Sequence, residues 1–432
     1  MKFKKILSLI LAVMMLASVM SAGAFAAGSD DGNWVSAWST SPISASLSDL
    51  GIIDKLGVTL VAVSSRVAIT PTAGGSELRL HFSNEYGVTP LTISACSIAK
   101  TGENSRTIDT KTDVKVTFGG KIYSVIPAGK TVVSDPISFN VNAGEKITVT
   151  TYFRGFNTQR TIGLIGGDTY AAVGNYTCSK YMNLGIPLCL SADSGDYQVI
   201  PALMGIDVLS SDPSACNCVI FGDSTVANEI PRLIEAKLMA NGINNISVTQ
   251  QAIKGNRLVA NGVGVAANVL GESGLARFER DVLQQPGVKY VIVKLGINDV
   301  VHPFCESKAD KLTPVTVEQM VEGYIQLVEM AHANGIEIYF AELTPWKGYT
   351  RNILGTGDDV QWTEEIDSLR TGINAWFASE ECPADGYIPL TGLADPADPT
   401  ALAPGFSPDG IHFTPAGQQV FADIFPIDIF NK

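Results

Sequence analysis

The chain has 432 residues, 46% of them hydrophobic and 17% charged, with a formal net charge of −13. So much apolar surface is ample for packed cores and excludes a disordered chain, and the length predicts two or three domains. An acidic chain repels phosphate backbones, which argues against a nucleic-acid partner.

The first 26 residues read as a secretory signal peptide. Lys2, Lys4 and Lys5 form a basic start, Ile6 to Leu16 an apolar core, and Ala24-Phe25-Ala26 an A-x-A cleavage site. The apolar core is short of the roughly 20 residues a bilayer span needs. The expectation is an exported, extracellular protein with no membrane anchor after cleavage. Seven cysteines lie beyond the signal: Cys96, Cys178, Cys189, Cys216, Cys218, Cys305 and Cys382. Export permits disulfides, but an odd count leaves one thiol unpaired within a monomer. Cys178 and Cys189 are candidates for a short loop, a pairing that sequence does not fix. Cys216-Asn217-Cys218 has the wrong spacing for a C-x-x-C metal or redox motif and reads as small residues in a buried strand.

Residues 28–210 carry short β-rich runs: Leu78–Phe82, Thr92–Ser97, Val114–Phe118, Thr131–Val133 and Lys146–Phe153. Gly-rich turns separate them, as at Gly74-Gly75, Asn84–Gly87 and Gly119-Gly120. This pattern predicts an all-β sandwich domain. Residues 154–200 are less regular, Val199–Leu209 reads as a last strand, and Ser210–Ser214 as a short polar linker.

From residue 213 to 432 the texture changes. Strands are expected at Val219–Phe221, Ile246–Ala252, Tyr290–Leu295, Ile336–Leu343 and Ile388–Leu390. Helices are expected at Glu229–Ala240, Leu275–Leu283, Thr316–Ala333, Glu364–Ala378 and Pro415–Phe425. The alternation predicts an α/β domain with a doubly wound, flavodoxin-like parallel sheet and helices on both faces. Ligands of such sheets bind beyond the carboxyl ends of the strands.

Chemistry-bearing segments fall at those ends. Gly222-Asp223-Ser224 follows the first strand, where a serine at a strand-to-helix turn suits a nucleophile whose carbonyl substrate becomes an oxyanion. The bland alternative is a helix cap. Lys254-Gly255-Asn256-Arg257 follows the second strand, and Gly255 allows close backbone approach to a ligand. A plain turn glycine is the alternative. Gly296-Ile297-Asn298-Asp299 follows the third. Asn298 presents an amide NH₂ that suits an oxyanion, or closes an Asx turn. Near the C-terminus, Asp409-Gly410-Ile411-His412 sets an acid and a base three residues apart, so that the carboxylate reaches Nδ1–H and leaves Nε2 free as a base. A loop histidine bonded to structure is the alternative. Of the other three histidines, His81, His302 and His332, none has a comparable partner nearby in sequence.

Together these four segments resemble blocks I, II, III and V of the SGNH (GDSL-type) hydrolase family. The likeness spans most of 216–430, including Lys254–Leu258, Leu275–Gly287 and Asp395–Leu402. Trp34–Pro42 and Leu78–Pro90, with Ser83-Asn84-Glu85-Tyr86-Gly87, are similar to the β-rich N-terminal part of a secreted bacterial subgroup. The resemblance implies Ser224 as nucleophile, His412 as base and Asp409 as its orienting acid. It also implies an oxyanion hole from the N–H groups of Ser224 and Gly255 and the side chain of Asn298. It implies no cofactor and no metal. One departure stands out: Thr225–Asn228 runs almost at once into the helical pattern, where the subgroup has a longer segment.

Competing motifs are weaker. Gly262 to Ala267 fits a dinucleotide G-x-G-x-x-A string but follows no strand, and no H-E-x-x-H is present. The expected activity is hydrolysis of carboxylic esters, with O-acetyl or short acyl groups on glycans favoured by export and the acidic composition. Lipid esters are the runner-up. A non-catalytic glycan-binding protein is the alternative from another class.

Overall fold

A computed structural model describes residues 32–44, 62–155, 159–164, 168–192, 195–263, 267–305, 312–349 and 360–431. The expected signal peptide lies outside these residues, as do Gly264 to Ala266 of the dinucleotide-like string. Residues 33–432 form one compact unit. No helix among the described residues is long and apolar enough to cross a membrane.

The N-terminal part is β-rich. Its main strands are β1 (Asn33–Ser39), β2 (Ala62–Ile69), β3 (Gly75–Ser83), β4 (Ala95–Lys100), β5 (Ile137–Val141), β6 (Ile147–Arg154), β7 (Asp168–Val173) and β8 (Leu203–Ser210). One antiparallel sheet runs β1-β8-β3-β5, with Thr131–Val133 added to β3. A second contains β7-β2-β6-β4 and short strands at both edges. Alternation explains the packing. Leu78, Leu80 and Phe82 of β3 share an apolar cluster with Val67, Ile69, Ile147 and Val149 of the other sheet. Of the expected run Val114–Phe118, only Val114–Lys115 is a strand, and β7 lies within the stretch that reads as irregular.

The C-terminal part has five parallel strands: β9 (Cys216–Gly222), β10 (Ile246–Ala252), β11 (Val288–Lys294), β12 (Glu337–Ala341) and β13 (Gly386–Ile388). Their order is β10-β9-β11-β12-β13. The chain therefore reverses direction across the sheet between β9 and β11, the place where α/β sheets open a crevice. Every residue of β9 and β10 is buried. Cys218 and Ile220 of β9 pack with Ile230, Ile234 and Leu238 of α1 (Ile230–Ala240). Val219 and Phe221 pack with Phe278 of α2 (Gly274–Phe278). Asn298 belongs to the short helix α3 (Ile297–Val301). Helix α4 (Val317–Ala333) opens on a capping box of Thr316 and Gln319, which satisfies two free N–H groups reciprocally. Thr363 caps α5 (Glu364–Phe377), and Thr414 caps α6 (Pro415–Ile424).

Three expectations need correcting. Leu275–Leu283 is not one helix: α2 passes into a π-helical turn at Glu279–Leu283, which turns both Arg277 and Asp281 inward. Ser224 lies at the expected strand-to-helix turn, but its N–H is not near the helix N-terminus. Thr225–Asn228 form a turn, and α1 starts only after Glu229, with Pro231 in its first turn. Cys178 and Cys189 are both free thiols, as are the other five cysteines. Cys216 and Cys218 are buried in β9.

The β-rich part and the parallel sheet are joined by polar contacts along β1. Ser36 N–H donates to the Pro286 carbonyl at 3.0 Å. Ser247 Oγ donates to the Ser36 carbonyl at 2.6 Å, and Ser41 Oγ donates to Gln251 Oε1 at 2.8 Å.

Candidate active site

Strand β9 ends in Gly222, which must be glycine because a Cβ there would lie 2.5 Å from the Lys294 carbonyl of β11. Asp223 follows, fully buried. Its Oδ1 accepts from the Thr225 N–H at 2.9 Å and from Thr225 Oγ1 at 2.8 Å, closing an Asx turn that turns the chain at Ser224. Burial raises the Asp223 carboxyl above its ordinary range, partly offset by the nearby Lys294 ammonium. Burial in turn lowers Lys294 to about 8, against the pull of Asp223. The two buried groups offset each other in part through space, and Lys294 Nζ donates to Thr344 Oγ1 at 3.4 Å.

Ser224 Oγ lies 2.9 Å from His412 Nε2, and His412 Nδ1 lies 2.6 Å from Asp409 Oδ2. The other Asp409 oxygen accepts from the N–H groups of Ile411 at 3.1 Å and His412 at 2.9 Å. Burial opposes ionisation of Asp409. The hydrogen bond and charge of His412, with the two N–H groups, outweigh it and hold the carboxyl at about 2. Ionised Asp409 accepts the hydrogen bond of His412 Nδ1–H, which leaves Nε2 as acceptor for the Ser224 hydroxyl. The structure thus brings Ser224 to His412 and Asp409 across 188 positions of sequence.

Gly255 sits in a turn after β10 at φ +68°, where a Cβ would also strike Leu270. Neither its N–H nor that of Ser224 has an acceptor among the described residues. Asn298 is buried, and its Nδ2 donates to the Asn256 carbonyl at 3.0 Å, which occupies one of its two N–H bonds. Its neighbour Asp299, raised to about 7 by burial, accepts from the N–H groups of Leu258 at 2.7 Å and Val259 at 3.1 Å. The segment after β11 therefore grips the loop after β10 at three points.

Sequence reasoning missed the residue that ties these loops together. Arg277, with no exposed surface, donates to the Gly222 carbonyl (2.9 Å), the Gln251 carbonyl (3.0 Å), Asn256 Oδ1 (3.0 Å), Ser41 Oγ (3.2 Å) and Asp281 (2.9 Å). Asp281 also pairs with Arg280 at 2.7 Å, and Arg280 reaches Glu272 and Tyr86 of the β-rich part. One weak signal was available: Arg277 and Asp281 stand four apart in a helical pattern. Two further histidines do have carboxylate partners, His81 with Asp207 and His332 with Asp385 at 2.9 Å, on partners too distant in sequence to be read from spacing. Neither bonds to a serine among the described residues.

Ser224 and His412 open onto a cleft of about 490 Å³. Its other wall comes from the β-rich part, through Trp38, Thr70, Asp168, Tyr197 and Gln198. The rest mixes hydroxyls and amides, among them Ser39, Thr72, Thr249 and Gln250, with apolar side chains such as Leu164, Val248 and Phe413.

Residues 220–420 match the model of the GDSL-like Lipase/Acylhydrolase family. Similar solved structures include a GDSL-like lipase from Bacteroides thetaiotaomicron, at 17% identity over 48% of this chain and 84% of that one (TM-score 0.33). An acetylxylan esterase from Geobacillus stearothermophilus is 16% identical over 49% and 94% (0.35). A family two carbohydrate esterase from Cellvibrio japonicus is 9% identical over 93% and 95% (0.35). At TM-scores this low the likenesses bear on neither fold nor substrate. No curated protein matches the chain.

Proposed function

Since residues 220–420 form a domain of the GDSL-like lipase/acylhydrolase family, we propose that this protein is a secreted serine esterase that works through an acyl-enzyme. In this reading Ser224 is the nucleophile, His412 the general base and Asp409 the orienting acid. The observation that carries it is the unbroken hydrogen-bonded chain Ser224–His412–Asp409 at the edge of the cleft. His412 Nε2 takes the Ser224 proton as Oγ attacks the ester carbonyl. The alcohol leaves with that proton, and water repeats the sequence on the acyl-enzyme. The charge on the tetrahedral oxygen is met by the N–H groups of Ser224 and Gly255 and the second N–H of Asn298. The bond from Asn298 to the Asn256 carbonyl fixes the amide before substrate arrives.

The architecture belongs to the same proposal: a β-sandwich over 28–210 and a doubly wound hydrolase domain over 213–432, with helices on both faces of its sheet. The favoured substrates are O-acetyl or short acyl esters of glycans. The hydroxyls and amides of the cleft, with the rings of Trp38 and Tyr197, offer a polyhydroxylated alcohol hydrogen bonds and ring faces. The test is acetate release from acetylated xylan and pectin beside a series of aryl esters of rising chain length. Cleavage only of long-chain esters would favour the lipid reading, and cleavage of none would remove the esterase.

A further inference from the structure

The ionisable groups that line the cleft have partners of opposite polarity, with one exception among the described residues. Lys146 lies 3.1 Å from Asp168, which also accepts from Ser105 Oγ at 2.5 Å. Arg232 lies 2.7 Å from Glu229. His412 is held by Asp409. Lys254, immediately before Gly255 on the loop after β10, has no carboxylate partner among the described residues. Its ammonium rests on the ring face of Tyr197, carried by the Gly195–Gln198 strand of the β-rich part. Both side chains line the cleft that Ser224 and His412 open onto.

A half-buried ammonium without a counter-charge is costly to keep ionised, and burial alone lowers Lys254 to about 7. Beyond the face of the Tyr197 ring, the ammonium has no counter-charge among the described residues. It gains a full charge-assisted hydrogen bond only when an anion enters the cleft. We propose that Lys254 is the specificity-determining residue of this cleft, receiving a carboxylate of the substrate, so that the protein prefers esters bearing a carboxylate to their neutral counterparts. The proposal deepens the esterase reading and rests on it for the reaction, but not for the binding. The carboxylate has two sources, the alcohol part, as in an O-acetylated uronic acid, or the acyl part, as in a half-ester of a diacid.

Two matched pairs distinguish the sources. Acetylated galacturonic acid against acetylated galactose tests the alcohol side, and 4-nitrophenyl hemisuccinate against 4-nitrophenyl butyrate tests the acyl side. In the wild type kcat/KM favours the acid member of one pair by roughly ten- to hundredfold, the range of one charge-assisted bond. In Lys254→Gln that ratio falls toward one, and in Lys254→Arg most of it returns. Calorimetric titration with galacturonate and succinate, against galactose and butyramide, reads the same preference without catalysis. Melting curves show that the variants fold. A wild type with no acid preference in either pair and in the titrations, or a preference that Lys254→Gln leaves within twofold, overturns the proposal. Lys254-dependent carboxylate binding with no ester cleaved would instead uphold it and remove the esterase.

Discussion

Replacing Arg277 with Met keeps much of the buried stem and deletes the guanidinium fork. Five acceptors then lose a donor: the carbonyls of Gly222 and Gln251, Asn256 Oδ1, Ser41 Oγ and one oxygen of Asp281. Arg277 has no exposed surface, so water does not replace it without a cavity opening. A buried acceptor left bare costs about 1–3 kcal/mol, and removing one partner of a buried ion pair about 3–5 kcal/mol. The losses overlap, because Asp281 keeps Arg280 at 2.7 Å and Asn256 keeps its amide bonds to Leu270 and Glu272. The expected destabilisation is therefore roughly 3–5 kcal/mol rather than the sum. Urea unfolding followed by tryptophan fluorescence measures it as a fall in midpoint at constant slope. Arg277 also fixes the carbonyl just before Asp223-Ser224 and the side chain of the residue whose carbonyl holds Asn298, so kcat on a soluble aryl ester should fall about tenfold or more at a temperature where the variant is folded. Arg277→Lys, with one or two of the five bonds, should lie between. A Met variant within about 1 kcal/mol of wild type, with unchanged kcat, would refute the reasoning that the fork sets the loop geometry.

Ser224→Ala should lower ester hydrolysis by about 10⁴-fold or more while melting as the wild type does; an organophosphate should label Ser224 alone by peptide mapping, and labelling elsewhere would count against it as nucleophile. Asn298→Ala should lower kcat by about 10²–10³ with little change in KM, and a raised KM at constant kcat would make it a ground-state contact instead. Asp409→Asn should lower the plateau rate by up to about 10⁴. Asp409 also links stability to pH. Its carboxyl is held down at about 2, so its contribution is present above the ordinary carboxylate range and lost as pH falls toward 2. That contribution is about 2 kcal/mol. Acid unfolding of Asp409→Asn should lack this increment, and identical acid profiles for the two proteins would contradict it. Finally, a fragment of 213–432 should not keep full activity, because one cleft wall and the Ser41 contact belong to the other part; a fully active fragment would show the parts to be independent.

What could be read in sequence was local. Asp409 and His412 stand three apart, so one turn dictates their contact, and capped amphipathic stretches such as Thr316–Ala333 announce themselves. Strand β9, buried along its whole length, is mostly apolar in sequence, whereas β10, equally buried, carries Ser247, Thr249, Gln250 and Gln251. What could not be read depends on partners far along the chain. Arg277 looks like a surface residue of Leu275-Ala276-Arg277-Phe278 until Gly222, Gln251 and Ser41 are folded around it. Strand β7 hides in a Gly- and Tyr-rich stretch because its pairing with β2 spans about a hundred residues, and propensity is weak evidence for a strand whose neighbours decide it. Lys254 is an ordinary loop lysine in sequence. Only Tyr197 and the cleft set it apart.

Strand β1 is the first described element of the chain, yet it pairs with β8, from Asn33 against Ser210 to Ser39 against Gly205. As the chain leaves a ribosome or a translocation pore, this segment must wait until some 170 residues have followed it before its edge is satisfied. During that interval Trp34, Val35 and Trp38 have neither sheet nor core to cover them, and the loop to be closed is among the longest in the molecule. Strand pairing at this seam therefore waits for residue 210, and the edge it completes carries Trp38 to the wall of the cleft. A chaperone that shields an extended, tryptophan-bearing segment would act at this point, and a cleft able to accept ester would report that the whole β-rich part has closed.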